Sequence, residues 1–201
     1  MPCTKDLRLR ELEQIMQMIP NFAPQGYGVI ILRGQDHQHL QTETMTQEEI
    51  LRAALSNIRF SPFVHRLNQH LQRKEDFTME YRNSKHKTVF TKIVKETNRQ
   101  NYALMAALYL LSANHKLWIT AKGKISFDCI YFDHIHLPAG TEQAYTLFCT
   151  AKDLYLGTKH VTIRDLADTT LISAEMFALI CNAMAIRRFG LGAIHFNMEG
   201  T

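Results

Sequence analysis

At 201 residues and 23.2 kDa, with 46% apolar residues, the chain has ample material for a hydrophobic core, which argues against an intrinsically disordered protein. The net charge of +4 is modest, but its excess is local: residues 1–100 carry 15 Lys or Arg against 11 Asp or Glu, and residues 101–201 carry eight of each. The four cysteines, Cys3, Cys129, Cys149 and Cys181, form no Cys-x-x-Cys pair, which argues against a disulfide framework and for a reducing, cytoplasmic setting.

The opening residues, MPCTKDLRLRELEQ, contain no apolar h-region, so no secretory signal is expected. Residues 5–18 place Leu7, Leu9, Leu12, Ile15 and Met16 near helical spacing, and Pro20 forbids continuation. The segment GYGVIILRG reads as a strand at 27–32, followed by a polar loop. Thr46-Gln47-Glu48-Glu49 is a capping box, in which hydroxyl and carboxylate satisfy reciprocal backbone donors, so a helix should run to about Asn57. Ser61-Pro62 opens another, with Phe63, Val64, Leu67 and Leu71 inside, ending near Lys74.

After a break at 75–83, Ser84 is expected to cap a helix reaching about Thr97, with Val89, Phe90, Ile93 and Val94 as its apolar side. The stretch 101–117, NYALMAALYLLSANHKL, is the most uniformly apolar in the chain and should be a central helix covered on every side. Its apolar run spans only residues 102–111, whereas a membrane span needs about 20. Beyond Trp118 the alternation of Ile125, Phe127, Cys129 and Tyr131 predicts a hairpin, 117–120 against 125–132. Helices at 141–157, closed by Gly157, at 162–167, and at 173–188, stopped at Gly190, complete the chain before a peripheral tail.

The expected fold is therefore α+β, mostly helical with about seven helices and a minor strand component. A loose boundary at residues 75–82 would divide a small αβα region, 1–78, from a helical domain, 79–201, built on the 101–117 helix.

Chemistry-bearing patterns are few. His37 and His39, and again His134 and His136, form His-x-His pairs preceded by Asp; on a strand such a pair puts two imidazoles on one face, suited to a divalent ion in a hydrolase. These remain weak metal candidates, because no His-Glu-x-x-His helix accompanies them and no cofactor is called for. No Gly-x-Ser-x-Gly elbow is present, and the glycine pairs match no phosphate-binding fingerprint.

Residues 82–99 hold six basic residues against only Glu96. At about 100° per residue, Lys85, Lys92, Lys95 and Arg99 share an arc opposite the apolar side, and Arg82 extends the stripe. Such a face attracts phosphate backbones or acidic protein, and a plain solvated surface is the competing reading. Residues 162–190 also suggest a helix-turn-helix, with Ser173 as cap and Arg187 and Arg188 near the end of the would-be recognition helix. That helix carries no Arg or Lys before Arg187, which suits a buried packing helix better than base reading.

With those residues in view, the stretch from Ser84 resembles a family of small uncharacterised proteins encoded by Firmicutes and their mobile genetic elements. The resemblance covers 84–190 and rests on Ser84-Lys85-His86 followed by Phe90, on Ala106-Ala107-Leu108-Tyr109-Leu110-Leu111, on Asp153-Leu154-Tyr155-Leu156-Gly157, and on the closing Ala183 to Gly190 run. The chain lacks that family's Gln-Thr and Trp-rich signatures. The resemblance implies a compact helical domain carried by a plasmid, phage or conjugative element, and no catalytic residue.

The expected function is a non-enzymatic binding or inhibitor protein that blocks a host nucleic-acid-processing or defence nuclease complex through the face of Arg82, Lys85, Lys92, Lys95 and Arg99. Its partner would be a larger protein or protein–nucleic-acid complex, with non-specific nucleic-acid contact and no membrane. A helix-turn-helix regulator and a metal-dependent hydrolase are the alternatives.

Overall fold

The computed structural model describes residues 46–72, 80–137 and 142–191. These all belong to one of the chain's two compact units, Ile31–Thr201. The expected helix at 5–18, the strand at 27–32, His37, His39, Cys3 and the tail after Leu191 lie outside the described residues. The described residues form eight α-helices: α1 (Gln47–Leu55), α2 (Ser61–Gln72), α3 (Ser84–Glu96), α4 (Tyr102–Ser112), α5 (His115–Ala121), α6 (Glu142–Leu156), α7 (Ile163–Ala167) and α8 (Ala174–Phe189).

Local chemistry sets most of the boundaries. The Thr46–Glu49 capping box starts α1, the Thr46 N–H donating to Glu49 Oε2 at 2.7 Å. Three consecutive helices begin on asparagine: Asn83, Asn101 and Asn114 accept from the backbone N–H of His86, Leu104 and Leu117 respectively. Asn83 thus takes the role predicted for Ser84, which becomes the first helical residue. A second capping box, Thr162 with Asp165, opens α7, and Ser173 caps α8.

The centre is α4, which is buried without a break from Leu104 to Ser112 and packs against α3, α5, α6 and α8. Helix α8 is its main partner in length, buried from Met176 to Ile186 and also touching α1 and α6. Neither helix has a wet stripe, so their stability comes from being covered by neighbours rather than from amphipathic patterning. Residues 73–79, around the predicted boundary, are not described; before it, α1 packs on α8 and α2 on α7.

Two expectations are corrected. The central helix stops at Ser112 instead of Leu117, because Asn114 starts a new helix. The strand component is absent from the described residues: the predicted hairpin arm at 117–120 is part of α5, and the segment after it makes only one isolated bridge, Ile125 to Ile130. Trp118, Ile119 and Thr120 favour strands locally, but Leu117 and Ala121, four apart, are both fully buried. Tertiary burial at helical spacing overrode propensity.

Candidate functional site

The basic segment folds as α3 and the turn after it, with the apolar side turned inward: His86, Phe90, Ile93 and Val94 are buried. Opposite them Lys85, Lys92 and Lys95 are exposed and, at 3.6 residues per turn, span an arc of roughly 80°. Lys87 is exposed on another flank. Lys92, 76% exposed, stands 3.9 Å from Glu96, a separation and exposure at which an ion pair contributes little. Among the described residues Lys85, Lys87 and Lys95 have no ion-pair partner.

The two arginines of the predicted stripe do other work. Arg82 donates from Nη2 to Gln143 Oε1 at 2.6 Å and pairs through Nε with Glu175 at 3.2 Å, tying the start of α3 to the starts of α6 and α8. Arg99 lies beyond the end of α3 and donates from Nε to the Val94 carbonyl at 3.0 Å, satisfying one of the helix's last carbonyls. Arg82 is thus used within the fold, while Arg99 stays exposed with only its Nε engaged, and the lysines of the stripe are Lys85, Lys92 and Lys95.

Helix α5 flanks this face. Asn83, Lys85, His86 and Val89 line a cleft of about 40 Å³ with Ser112, Ala113, His115 and Trp118. Such a space takes a few waters, far below the roughly 300 Å³ at which small-molecule sites begin. At the other end the chain after α5 returns to the end of α3, where the Asn98 N–H donates to the Phe127 carbonyl at 2.8 Å. Over residues 84–128 there are eight Lys or Arg against two acidic residues, Glu96 and Asp128, the second held by Asn98 just past the end of α3, so the field of this stretch is positive.

The alternative sites are placed elsewhere. Ser173 and the pair Arg187, Arg188 stand at opposite ends of α8, roughly 21 Å apart along its axis. Arg187 donates from Nε to the Leu154 carbonyl at 3.0 Å, and Arg188 from Nη1 to the Ala54 carbonyl at 2.7 Å. Each closes the C-terminal end of a neighbouring helix, α6 and α1, and burial lowers the Arg187 pKa. The middle of α8 is covered on all sides, leaving no face to enter a groove. His134 ends a 3-10 turn, Phe132–His134, and His136 follows in irregular chain, both exposed, so they do not share a strand face. Among the described residues no three His, Cys, Asp or Glu side chains gather as metal ligands.

The sequence reading missed a set of buried polar residues that hold the helices in place. Arg66 reaches from α2 to the carbonyls of Leu166 (2.7 Å), Asp168 (3.0 Å) and Ile172, with its guanidinium 4.5 Å from the Phe177 ring centre. Asp153 accepts from the N–H groups of His160 (2.9 Å) and Val161 (2.8 Å), from the Thr158 hydroxyl and from the His160 ring, fastening the turn after α6. Burial alone would raise its pKa, but these donors bring it below the ordinary carboxylate value.

His86 accepts at Nδ1 from the Arg82 N–H and meets the Tyr109 carbonyl through Nε2, 2.9 Å away, which assigns the neutral Nε2–H tautomer. The Tyr109 hydroxyl donates to the Glu80 carbonyl and accepts from Asn182. Of the cysteines, Cys149 and Cys181 are buried with raised thiol pKa values, whereas Cys129 sits in a loop, lowered by hydrogen bonds from Ser126 and Tyr131. A lone Asn inside an apolar helix and an Asp before a helix-ending Gly were the available sequence signals for this group.

No protein family, curated protein or solved structure was found that matches the chain. No helix among the described residues is long and apolar enough to cross a membrane.

Proposed function

We propose that this chain is a binding protein, not a catalyst, that occupies an anionic surface on a larger partner through the lysines of α3. The observation that carries the reading is how the cations divide. Arg66, Arg82, Arg99, Arg187 and Arg188 are each engaged by a carbonyl or carboxylate within the fold. Lys85, Lys92 and Lys95 of α3 stand in solvent opposite the buried side. Hydrated, mobile point charges of this kind steer and hold an anionic surface without demanding fixed geometry.

The partner is an acidic protein or a protein–nucleic-acid complex. The sharper form, a mobile-element product that blocks a host defence nuclease, draws on the resemblance of residues 84–190, and inhibition of such a nuclease by the purified protein tests it. The helix-turn-helix and metal-hydrolase readings gain no observation here.

The direct test is a double charge reversal, Lys92→Glu with Lys95→Glu, measured by titration against heparin, polyglutamate and random-sequence DNA. Affinity for the polyanion should fall by about tenfold or more at low salt, while stability changes by no more than about 0.5 kcal/mol, as for other exposed positions. Unchanged affinity for all three polyanions would sink the role given to this face.

A further inference from the structure

Of the large apolar side chains exposed among the described residues, the most exposed sits on a loop tied to the end of α3. Phe127 is 66% exposed. Withdrawing such a ring from water would be worth about 1.5–3 kcal/mol, and a loose loop would fold it back. This loop is not loose. It is closed by the Ile125–Ile130 bridge and by the Tyr131 N–H donating to the Lys124 carbonyl at 2.9 Å. Its tip is gripped from outside: the Phe127 carbonyl accepts from the Asn98 N–H, and Asp128 Oδ1 accepts from the side chains of Asn98 (2.9 Å) and Asn101 (3.1 Å). Two asparagines and an aspartate therefore present Phe127 to solvent.

Its position matters as much as its exposure. Asn98 comes two residues after Glu96, the last residue of α3. Phe127 is thus anchored at the end of the helix that carries Lys92 and Lys95, with Lys85 at the far end beside the Trp118 cleft. From Lys85 to Lys95 the helix rises about 15 Å.

Resting on the reading of α3 as a polyanion-binding face, we propose that the polyanion is single-stranded nucleic acid. Lys85, Lys92 and Lys95 take phosphates, and Phe127 offers its ring to an unstacked base. Charge alone would suit a duplex or an acidic protein equally. An exposed ring on a loop tied to the end of the lysine helix favours the single strand, because only unpaired bases have faces free to stack, and stacking on a presented aromatic is tolerant of sequence. Lysine rather than arginine at the phosphate positions fits the same indifference to sequence, since an ammonium is a hydrated point charge without the rigid planar fork of a guanidinium.

The test uses the full chain, a labelled oligothymidylate of roughly 16 nucleotides, and a duplex of equal length, titrated by fluorescence anisotropy across a salt series. Three proteins are compared: wild type, Phe127→Ala, and Lys92→Gln with Lys95→Gln. The wild type should prefer the single strand. Phe127→Ala should weaken single-strand binding by about 5- to 150-fold, the loss of one stacked base, with the salt slope and thermal stability unchanged. The lysine pair should instead flatten the slope by about 1.4, two contacts at roughly 0.7 each.

Equal affinity for duplex and single strand, with Phe127→Ala silent, would overturn the single-strand assignment while leaving the basic face as a polyanion site. Absence of any nucleic-acid binding at low salt would overturn it too. Polyglutamate binding by the wild type that is lost in Lys92→Glu with Lys95→Glu would then keep the wider reading, and polyglutamate binding unchanged in that variant would overturn that reading too.

Discussion

Acidification should weaken the fold through His86, and the size of the effect follows from its surroundings. The ring is 2% exposed, uses both nitrogens, and lies against Tyr81 and Tyr109 at centroid distances of 5.3 and 4.8 Å. Burial pushes its pKa down to about 4; the Tyr109 carbonyl pulls it back in part, and the Arg82 charge pushes it down again. A second proton would also have to sit at Nδ1, facing the Arg82 N–H that already donates there.

In the unfolded chain the pKa returns to about 6.5. Between those values the unfolded state binds a proton that the native state does not, so stability rises with pH across the window. The contribution is full above about pH 6.5 and is lost as pH falls toward 4, at a limiting slope near 1.4 kcal/mol per pH unit, for a total of about 3 kcal/mol. Urea unfolding followed by circular dichroism at about pH 7.5, 5.5 and 4.5 would read it, with His86→Gln as the control. That variant keeps a donor toward the Tyr109 carbonyl but takes up no proton, so its baseline is lower and its pH dependence shallower. Parallel losses in wild type and variant would refute the assignment, since every group but residue 86 is common to both.

Gly190 ends α8 at φ 80°, ψ −173°, a region essentially reserved for glycine, and a Cβ there would meet the Tyr102 ring at 2.7 Å. Gly190→Ala should cost more than the roughly 1–3 kcal/mol of backbone strain, and more than Gly157→Ala, where φ is also positive but nothing lies within 4 Å of the added carbon; thermal unfolding of the two variants compares them. Leu108→Ala removes a fully buried side chain from the centre of α4 and should lower stability by about 2–5 kcal/mol, measured as a shift in urea midpoint.

What the sequence revealed and what it hid divide along the range of the interactions. Local signals were readable: the Thr46–Glu49 box and the glycines after α6 and α8 are satisfied within a few residues, and each boundary fell near its predicted place. The end of the apolar run was harder. Nothing in NHKLWIT separates a continuing helix, a new one and a strand until Leu117 and Ala121 are known to be buried together. The long-range polar bonds were invisible for a plainer reason. Arg66 meets carbonyls a hundred or more residues away, and no local pattern specifies a partner at that distance. Helical spacing likewise put Arg99 on the basic arc, with Arg82 extending it from outside the cap, because spacing reports direction and not what a side chain binds.

That same division supplies a test between the two nucleic-acid readings of this chain. If α8 were a recognition helix, Arg187 and Arg188 would be contacts to DNA, and their loss would weaken binding without harming the fold. The structure gives them opposite employment, each closing the last carbonyls of another helix, where a charged hydrogen bond is worth about 1.5–3 kcal/mol. Arg187→Gln or Arg188→Gln should therefore lower the midpoint of thermal unfolding by about 3–12 °C for a chain of this size, with the salt slope of polyanion binding untouched. Lys92→Gln with Lys95→Gln should do the reverse. A result in which the arginine variants lose nucleic-acid affinity at unchanged thermal stability would transfer the binding surface from α3 to α8, because a guanidinium bound to a carbonyl inside the fold cannot be removed without cost.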